Sequence, residues 1–207
     1  MKKYLFMILI FLISTSAQSK NFKKVYFAGG CLWCMEESFD GVEGVLSTVS
    51  GYSGGHLKNP TYHDVIYKDT GHVEALEITY DPNKVSYEKL LNIFWRNIDP
   101  FDSEGQFCDK GKSYRSVIFF QNQLEKEFID KSFKNLEKKF GKKIVTLVWK
   151  FEEFYQAEDG IRDRSPSRGL GDVYKRQHQD YYEKNFIRYL MYKKACKRED
   201  TLREIWN

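Results

Sequence analysis

The stretch VYFAGGCLWCMEESF, residues 25–39, sets Cys31 between a strand-like run ending in two glycines and a segment that starts like a helix, with Cys34 three residues on. Those residue types at that spacing admit four readings of Cys31: a nucleophile, half of a redox pair with Cys34, a metal ligand, or a buried structural thiol. A thiol reacts as its thiolate, and a free cysteine with a pKa near ~8.5 is mostly protonated at neutral pH. A strand–GlyGly–Cys–helix order places the sulfur at a helix N-terminus, where unpaired N–H groups and the positive end of the macrodipole favour the anion. The expectation is therefore a thiol of lowered pKa, although free cysteine is also among the most commonly buried residue types.

Other chemistry-bearing residues lie downstream. TGHVE puts Glu74 in a strand whose alternation gives it an apolar face, where desolvation would raise a carboxyl pKa and make a general acid. Tyr62 in YHDV precedes it, and CDKGKSYRS supplies Asp109 and Tyr114 at a loop-to-strand junction. Leu32 and Trp33, directly after Cys31, would make an apolar hollow beside the sulfur that suits a methyl group. Thiol, protonated carboxylic acid and phenols together suit reduction of a polar oxygen carried on sulfur. Acyl transfer fits less well, because no histidine stands as a partner base. Zinc would call for a second close ligand pair, and none of His56, His63, His72 and His178 provides one. No metal site is expected.

The elements that must position these groups follow from pattern. KKVYFAG, residues 23–29, reads as a strand, and LWCMEESFDGV as a helix. GVLSTVSGYSGG is a short strand entering a glycine-rich loop, and HVEALEITY alternates as a half-buried strand. SYEKLLNIFWRNI is helical and stops before Asp99–Pro100. RSVIFF is a strand, NQLEKEFIDKSFKNLEKKFG an amphipathic helix closed by Gly141, and KIVTLVWKFEEFY one further strand. This mixture predicts a single α+β domain, a two-layer sandwich of mixed sheet flanked by helices.

The 207 residues, 42% hydrophobic, suffice for one core. A net charge of +4 with interleaved signs offers no basic stripe for nucleic acid. Residues 1–20 have a Lys2–Lys3 start, an apolar run from Tyr4 to Ile13, and small residues through Ala17. This is the layout of a secretory signal peptide, its run too short for the roughly 20 residues that span a bilayer. Cleavage near Ala17 to Ser19 would leave an exported, periplasmic or secreted domain of residues 21–207 with no stable membrane contact, in a compartment where disulfides form.

GGCLWCMEESF, GYSGG, NPTYHDV, DTGHVEALEITYDP, FWRNIDP, GQFCDKGKSYRS, FYQAE and HQDYY, in that order, together resemble the A type of peptide methionine sulfoxide reductase. The resemblance implies reduction of methionine-S-sulfoxide, free or in oxidised proteins, with no bound cofactor and an external thiol reductant such as thioredoxin. It implies that Cys31 attacks the sulfoxide sulfur and becomes a sulfenic acid. Glu74 would protonate the oxygen, Tyr62 and Tyr114 would hydrogen-bond it, Asp109 would lie beside the substrate, and Trp33 with Leu32 would hold the methyl group. The family usually has Phe where this chain has Leu32, so that wall is thinner. A second thiol must then condense with the sulfenic acid. Related chains often use a cysteine in the C-terminal tail, which favours Cys196; Cys34, on the next helical turn, and Cys108 are the alternatives. A different class, thioredoxin-like thiol–disulfide exchange by Cys31 and Cys34, competes with this reading.

One segment departs from the resemblance. Between FYQAE and HQDYY, residues 159–177 are charged, rich in Gly and Arg, and lack periodicity. They read as an exposed insert or as peptide foreign to the gene.

Overall fold

The computed structural model describes residues 21–157 and 178–207; the leader-like segment and the anomalous insert fall outside them. The strands are β1 (Lys23–Gly29), β2 (Val45–Ser53), β3 (Val73–Tyr80), β4 (Gly105–Gln106), β5 (Asp109–Lys110), β6 (Ser116–Phe120), β7 (Leu147–Lys150) and β8 (Phe154–Gln156). The helices are α1 (Leu32–Phe39), α2 (Tyr62–Tyr67), α3 (Tyr87–Arg96), α4 (Gln123–Phe140), α5 (Tyr181–Lys184), α6 (Phe186–Ala195) and α7 (Arg198–Trp206), with one 3₁₀ turn at Lys112–Tyr114.

The main sheet runs β7-β6-β1-β3-β2-β8, and every pairing is antiparallel except β6 with β7. It is a mixed sheet with helices in one α+β domain, as the sequence predicts. Alternation along β1 explains why both faces are filled. Val25 and Phe27 enter the main core with residues of α1, α3, α4 and α7, while Tyr26 and Ala28 enter a second cluster on the other face. In β3, Leu76 and Ile78 join the first core, and Val73 and Ala75 the second.

The run KIVTLVWKFEEFY departs from the expectation of one strand. It splits into β7 and β8, which lie at opposite edges of the same sheet. Four Cα steps from Lys150 to Phe154 reach at most ~14 Å, whereas six strands laid flat would separate those edges by ~24 Å. The sheet therefore curls until its edges approach. The crossing residues plug the inside of the curl: Phe151 stacks on Tyr26 at 3.8 Å, and Phe154 lies 5.6 Å from the same ring.

Two helix ends follow sequence rules closely. Asn122 caps α4 by accepting from Glu125 N–H at 2.9 Å, and Gly141 ends it in the left-handed region at φ 63°. The short helix α2, not anticipated, is opened by a reciprocal cap in which Thr61 and Asp64 bond each other's main-chain N–H. The TYHD spacing carried that signal.

Candidate active site

The end of β1 and the start of α1 place Cys31. Gly30 takes φ +81°, and a Cβ there would come within 2.6 Å of Gln106 Cβ, so the tight turn is restricted to glycine. Cys31 is the N-cap residue of α1, in extended conformation, and its carbonyl accepts from Met35 N–H at 3.2 Å. Its side chain makes no capping bond. The first free helical amide goes elsewhere: Leu32 N–H donates to Glu74 Oε2 at 3.1 Å. Glu74, at the start of β3 and 5% exposed, is thereby fixed beside Cys31, 6% exposed.

The remaining predicted residues converge on the same place. Tyr62 opens α2, and its ring lies 4.4 Å from that of His178. Tyr114, at the end of the 3₁₀ turn, shares a hydrogen bond with Tyr62. Its phenol is held well above its ordinary pKa by burial, then by Glu74 and Tyr62. Asp109, in β5, accepts from the Tyr192 hydroxyl. Burial raises its pKa, while Tyr192, Arg198 and Lys110 act in the opposite direction. Leu32 is almost wholly buried with Tyr52, Val65 and Ala157, and Trp33 and Tyr62 pack against the same cluster. Trp33 stacks face to face with Tyr181 at 3.8 Å, and its Nε1–H has no partner among the described residues.

The thiol chemistry differs from the sequence expectation. Burial, then the bond to Cys34, then Glu74 and Asp109, push the Cys31 pKa well above its ordinary value. The helix amide that would have favoured a thiolate is occupied by Glu74. Cys34 is lowered to about 7, chiefly because the Cys31 thiol donates to it, with Arg198 and the Tyr189 hydroxyl assisting. The two sulfurs act as one unit: the first proton leaves near neutrality and the second is retained. The expectation of a lone ionised Cys31 is thus replaced by a shared proton.

Cys34, on the next helical turn, shares a hydrogen bond with Cys31. Both thiols are free and buried in one cluster with Tyr181 and Tyr189. Cys196 is bonded to Cys108, with 5.0 Å between Cα atoms and a sequence separation of 88. In this state the sulfur expected to resolve the sulfenic acid is held by another partner.

Sequence reasoning missed the wall built by the C-terminal helices. Tyr189 donates to Glu37 Oε2 at 2.6 Å and packs on both thiols, Tyr192 sets its ring edge-on to Trp33, and the Arg198 guanidinium lies 4.3 Å above Phe107. Their only signal was a run of tyrosines without clear period. Gln106 was also missed. Its side chain accepts from Asp99 N–H at 2.7 Å and donates to Asp99 O at 2.8 Å, bracing the loop that carries Asp109. On either side of the insert, Gln179 Nε2 donates to Ala157 O at 3.3 Å and to Ser50 O at 2.7 Å, so FYQA and HQDYY meet. Among the described residues, no three His, Cys, Asp or Glu side chains are placed to hold a metal, and no helix is long and apolar enough to cross a membrane.

The geometry has counterparts in known proteins. Residues 23–163 match the family model described as Peptide methionine sulfoxide reductase. The chain is 43% identical over 182 residues to the peptide methionine sulfoxide reductase MsrA of Bacillus velezensis, covering 87% of this chain and 93% of that one. It is 42% identical over 189 residues to MsrA of Listeria monocytogenes, covering 90% and 97%. Methionine sulfoxide reductase A of Corynebacterium diphtheriae superposes with a TM-score of 0.65 at 28% identity, covering 82% of this chain and 77% of that one. Reduced Mxr1 from Saccharomyces cerevisiae gives a TM-score of 0.65 at 27% identity, covering 79% and 86%.

Proposed function

The chain belongs to the peptide methionine sulfoxide reductase family and is a thiol-dependent oxidoreductase that reduces methionine sulfoxide; from that premise we propose how its residues divide the work. Cys31 passes its thiol proton to the Cys34 thiolate as its Sγ attacks the sulfoxide sulfur. Glu74 gives a proton to the sulfoxide oxygen, and the hydroxyls of Tyr62 and Tyr114 donate to it. The oxygen passes to Cys31 as a sulfenic acid, the sulfur–oxygen bond of the substrate breaks, and methionine leaves as the thioether. Trp33 contacts the methyl group, and Asp109 lies beside the rest of the substrate. This asymmetric arrangement selects the S epimer.

We assign the second step to Cys34 rather than Cys196. Cys34 shares a hydrogen bond with Cys31, whereas the Cys196 sulfur is bonded to Cys108. Attack by Cys34 on the sulfenic sulfur forms the Cys31–Cys34 disulfide and releases water. An external dithiol protein of the thioredoxin kind then reduces that disulfide and is itself oxidised. No bound cofactor takes part.

The observation that carries this reading is convergence. Thiols, carboxylates and phenols from α1, α2, β3, β5 and the 3₁₀ turn meet around the first turn of α1. The test is reduction of a sulfoxide peptide with dithiothreitol by the wild type and by Cys31→Ser. The wild type is expected to reduce one epimer and the variant neither; an active variant contradicts the reading. We propose further that the mature protein works outside the cytoplasm, on the leader-like pattern of residues 2–17. N-terminal sequencing of the protein recovered from its native cells should start near Ser19, and an intact Met1 contradicts export.

A further inference from the structure

We infer that Tyr192 is a positioning residue for Asp109, and that the Cys108–Cys196 disulfide staples this pair together, so that substrate binding depends on the redox state of a bond outside the reaction itself. The inference rests on the reading of Asp109 as the carboxylate beside the substrate. Its basis is a juxtaposition. Cys108 immediately precedes Asp109 on the β4–β5 hairpin, and Cys196 lies one turn beyond Tyr192, at the C-cap of α6. The Tyr192 hydroxyl donates to Asp109, and one residue back and four residues on, the two segments are joined covalently. Two residues past Cys196, the Arg198 guanidinium covers Phe107 and donates to Asn97 O, closing the same corner. Gln106 braces the loop, but the carboxylate itself is oriented by a phenol from a helix 83 residues away in sequence.

The two sulfur pairs differ in access. Cys31 and Cys34 are buried, while Cys108 is exposed at the surface. A dithiol in solution can thus reach the staple directly: one of its thiolates attacks the Cys108–Cys196 bond, two protein thiols form, and the dithiol becomes a disulfide. Opening the staple removes the covalent tie but leaves α6 anchored on α1 through Tyr189 and Lys193, both of which contact Glu37. The loop with Asp109 then loses its register against Tyr192.

The test uses the full chain with Cys31→Ser, which cannot turn over, and a blocked peptide bearing one methionine sulfoxide as the calorimetric probe. Adding Tyr192→Phe should weaken binding about tenfold to a hundredfold, in line with losing one hydrogen bond to a charged group. It should also move the acid limb of binding to higher pH. The groups facing Asp109 are Tyr192, Arg198, Lys110, Tyr114 and the thiols at positions 31 and 34, and Tyr192 is among those that hold its pKa down. A merely structural role would weaken binding without moving that limb. Dithiothreitol should reproduce both changes in the parent and add nothing in Tyr192→Phe, and the Cys108→Ser/Cys196→Ser pair should behave as the reduced parent. Unchanged binding in Tyr192→Phe, an unmoved acid limb, or equal effects of reduction in both proteins overturns the inference. A parent that binds no peptide overturns the substrate reading itself, which separates the two failures.

Discussion

Leu32 N–H donates to Glu74 Oε2 at 3.1 Å, across 42 residues of sequence. This bond couples the first turn of α1 to the start of β3 and fixes the carboxyl beside Cys31. It also consumes the helix amide that a thiolate would otherwise use. The carboxyl is thereby held at the same helix end as Cys31, whose pKa is raised chiefly by burial and then by Cys34, Glu74 and Asp109.

Glu74→Gln tests the division between positioning and proton delivery. Glutamine can still accept from Leu32 N–H but has no proton of comparable acidity to give. The turnover rate should fall about 10²- to 10⁴-fold, the usual range for loss of a general acid, while the thermal midpoint stays nearly unchanged. Unimpaired turnover in this variant removes Glu74 from the reaction.

The shared thiol proton has a readout in alkylation. Iodoacetamide reacts with the thiolate, so the rate for the wild type should rise through about pH 7, where the Cys34 thiol is placed by its bond from Cys31. In Cys34→Ser, Cys31 loses that partner but keeps its burial and the nearby Glu74 and Asp109 charges. The step near pH 7 should therefore be lost, leaving only the ionisation of a Cys31 thiol that burial holds above its ordinary value. A midpoint that stays put would mean that Cys31 ionises independently of its neighbour.

Glu36 makes folding stability fall as pH rises. It is fully buried on α1, accepts from Asp180 N–H at 2.9 Å, and is raised to about 8 by burial, then by Asp180 and Asp40. Below the unfolded value of 4.5 both states hold the proton and no penalty applies. Between that value and about 8 only the unfolded chain releases it, so stability declines by up to about 1.4 kcal/mol per pH unit. Urea unfolding of Glu36→Gln across this window should show a shallower decline than the wild type. Parallel curves would assign the slope to other groups.

Removal of residues 160–176 should leave a folded, active enzyme. Ala157 and Gln179 are already in contact, and Ser50 bonds both through its main chain. Shortening the loop lowers its closure entropy, worth about 1 kcal/mol in favour of the shorter chain. Thermal unfolding and turnover of the deletion check this, and a collapse of either shows that the insert contributes to the fold.

The residues to which the proposal gives roles each sit in a short contiguous motif: GGC for the proposed nucleophile, HVE for the proposed acid, NPTYHD and GKSY for the phenols. Local pattern also located β1, β3, α3 and α4. It failed where long-range geometry decides. KFEEF carries no mark distinguishing one long strand from a crossing between two sheet edges; only the pairing of β7 with β6 and of β8 with β2 separates them. Cysteine connectivity was illegible for the same reason, since spacing does not reveal that Cys108 and Cys196 meet in space. The direction of the Cys31 pKa was illegible because burial, and the nearness of Cys34, Glu74 and Asp109, arise only in the folded chain.

The most direct measurement is a single turnover on a sulfoxide peptide without external reductant, followed by mass mapping of the cysteines. The account predicts about one methionine formed per chain, a new Cys31–Cys34 disulfide and an unchanged Cys108–Cys196 bond. Methionine formed by Cys31→Ser, or a Cys31–Cys196 crosslink in the wild type, would contradict it.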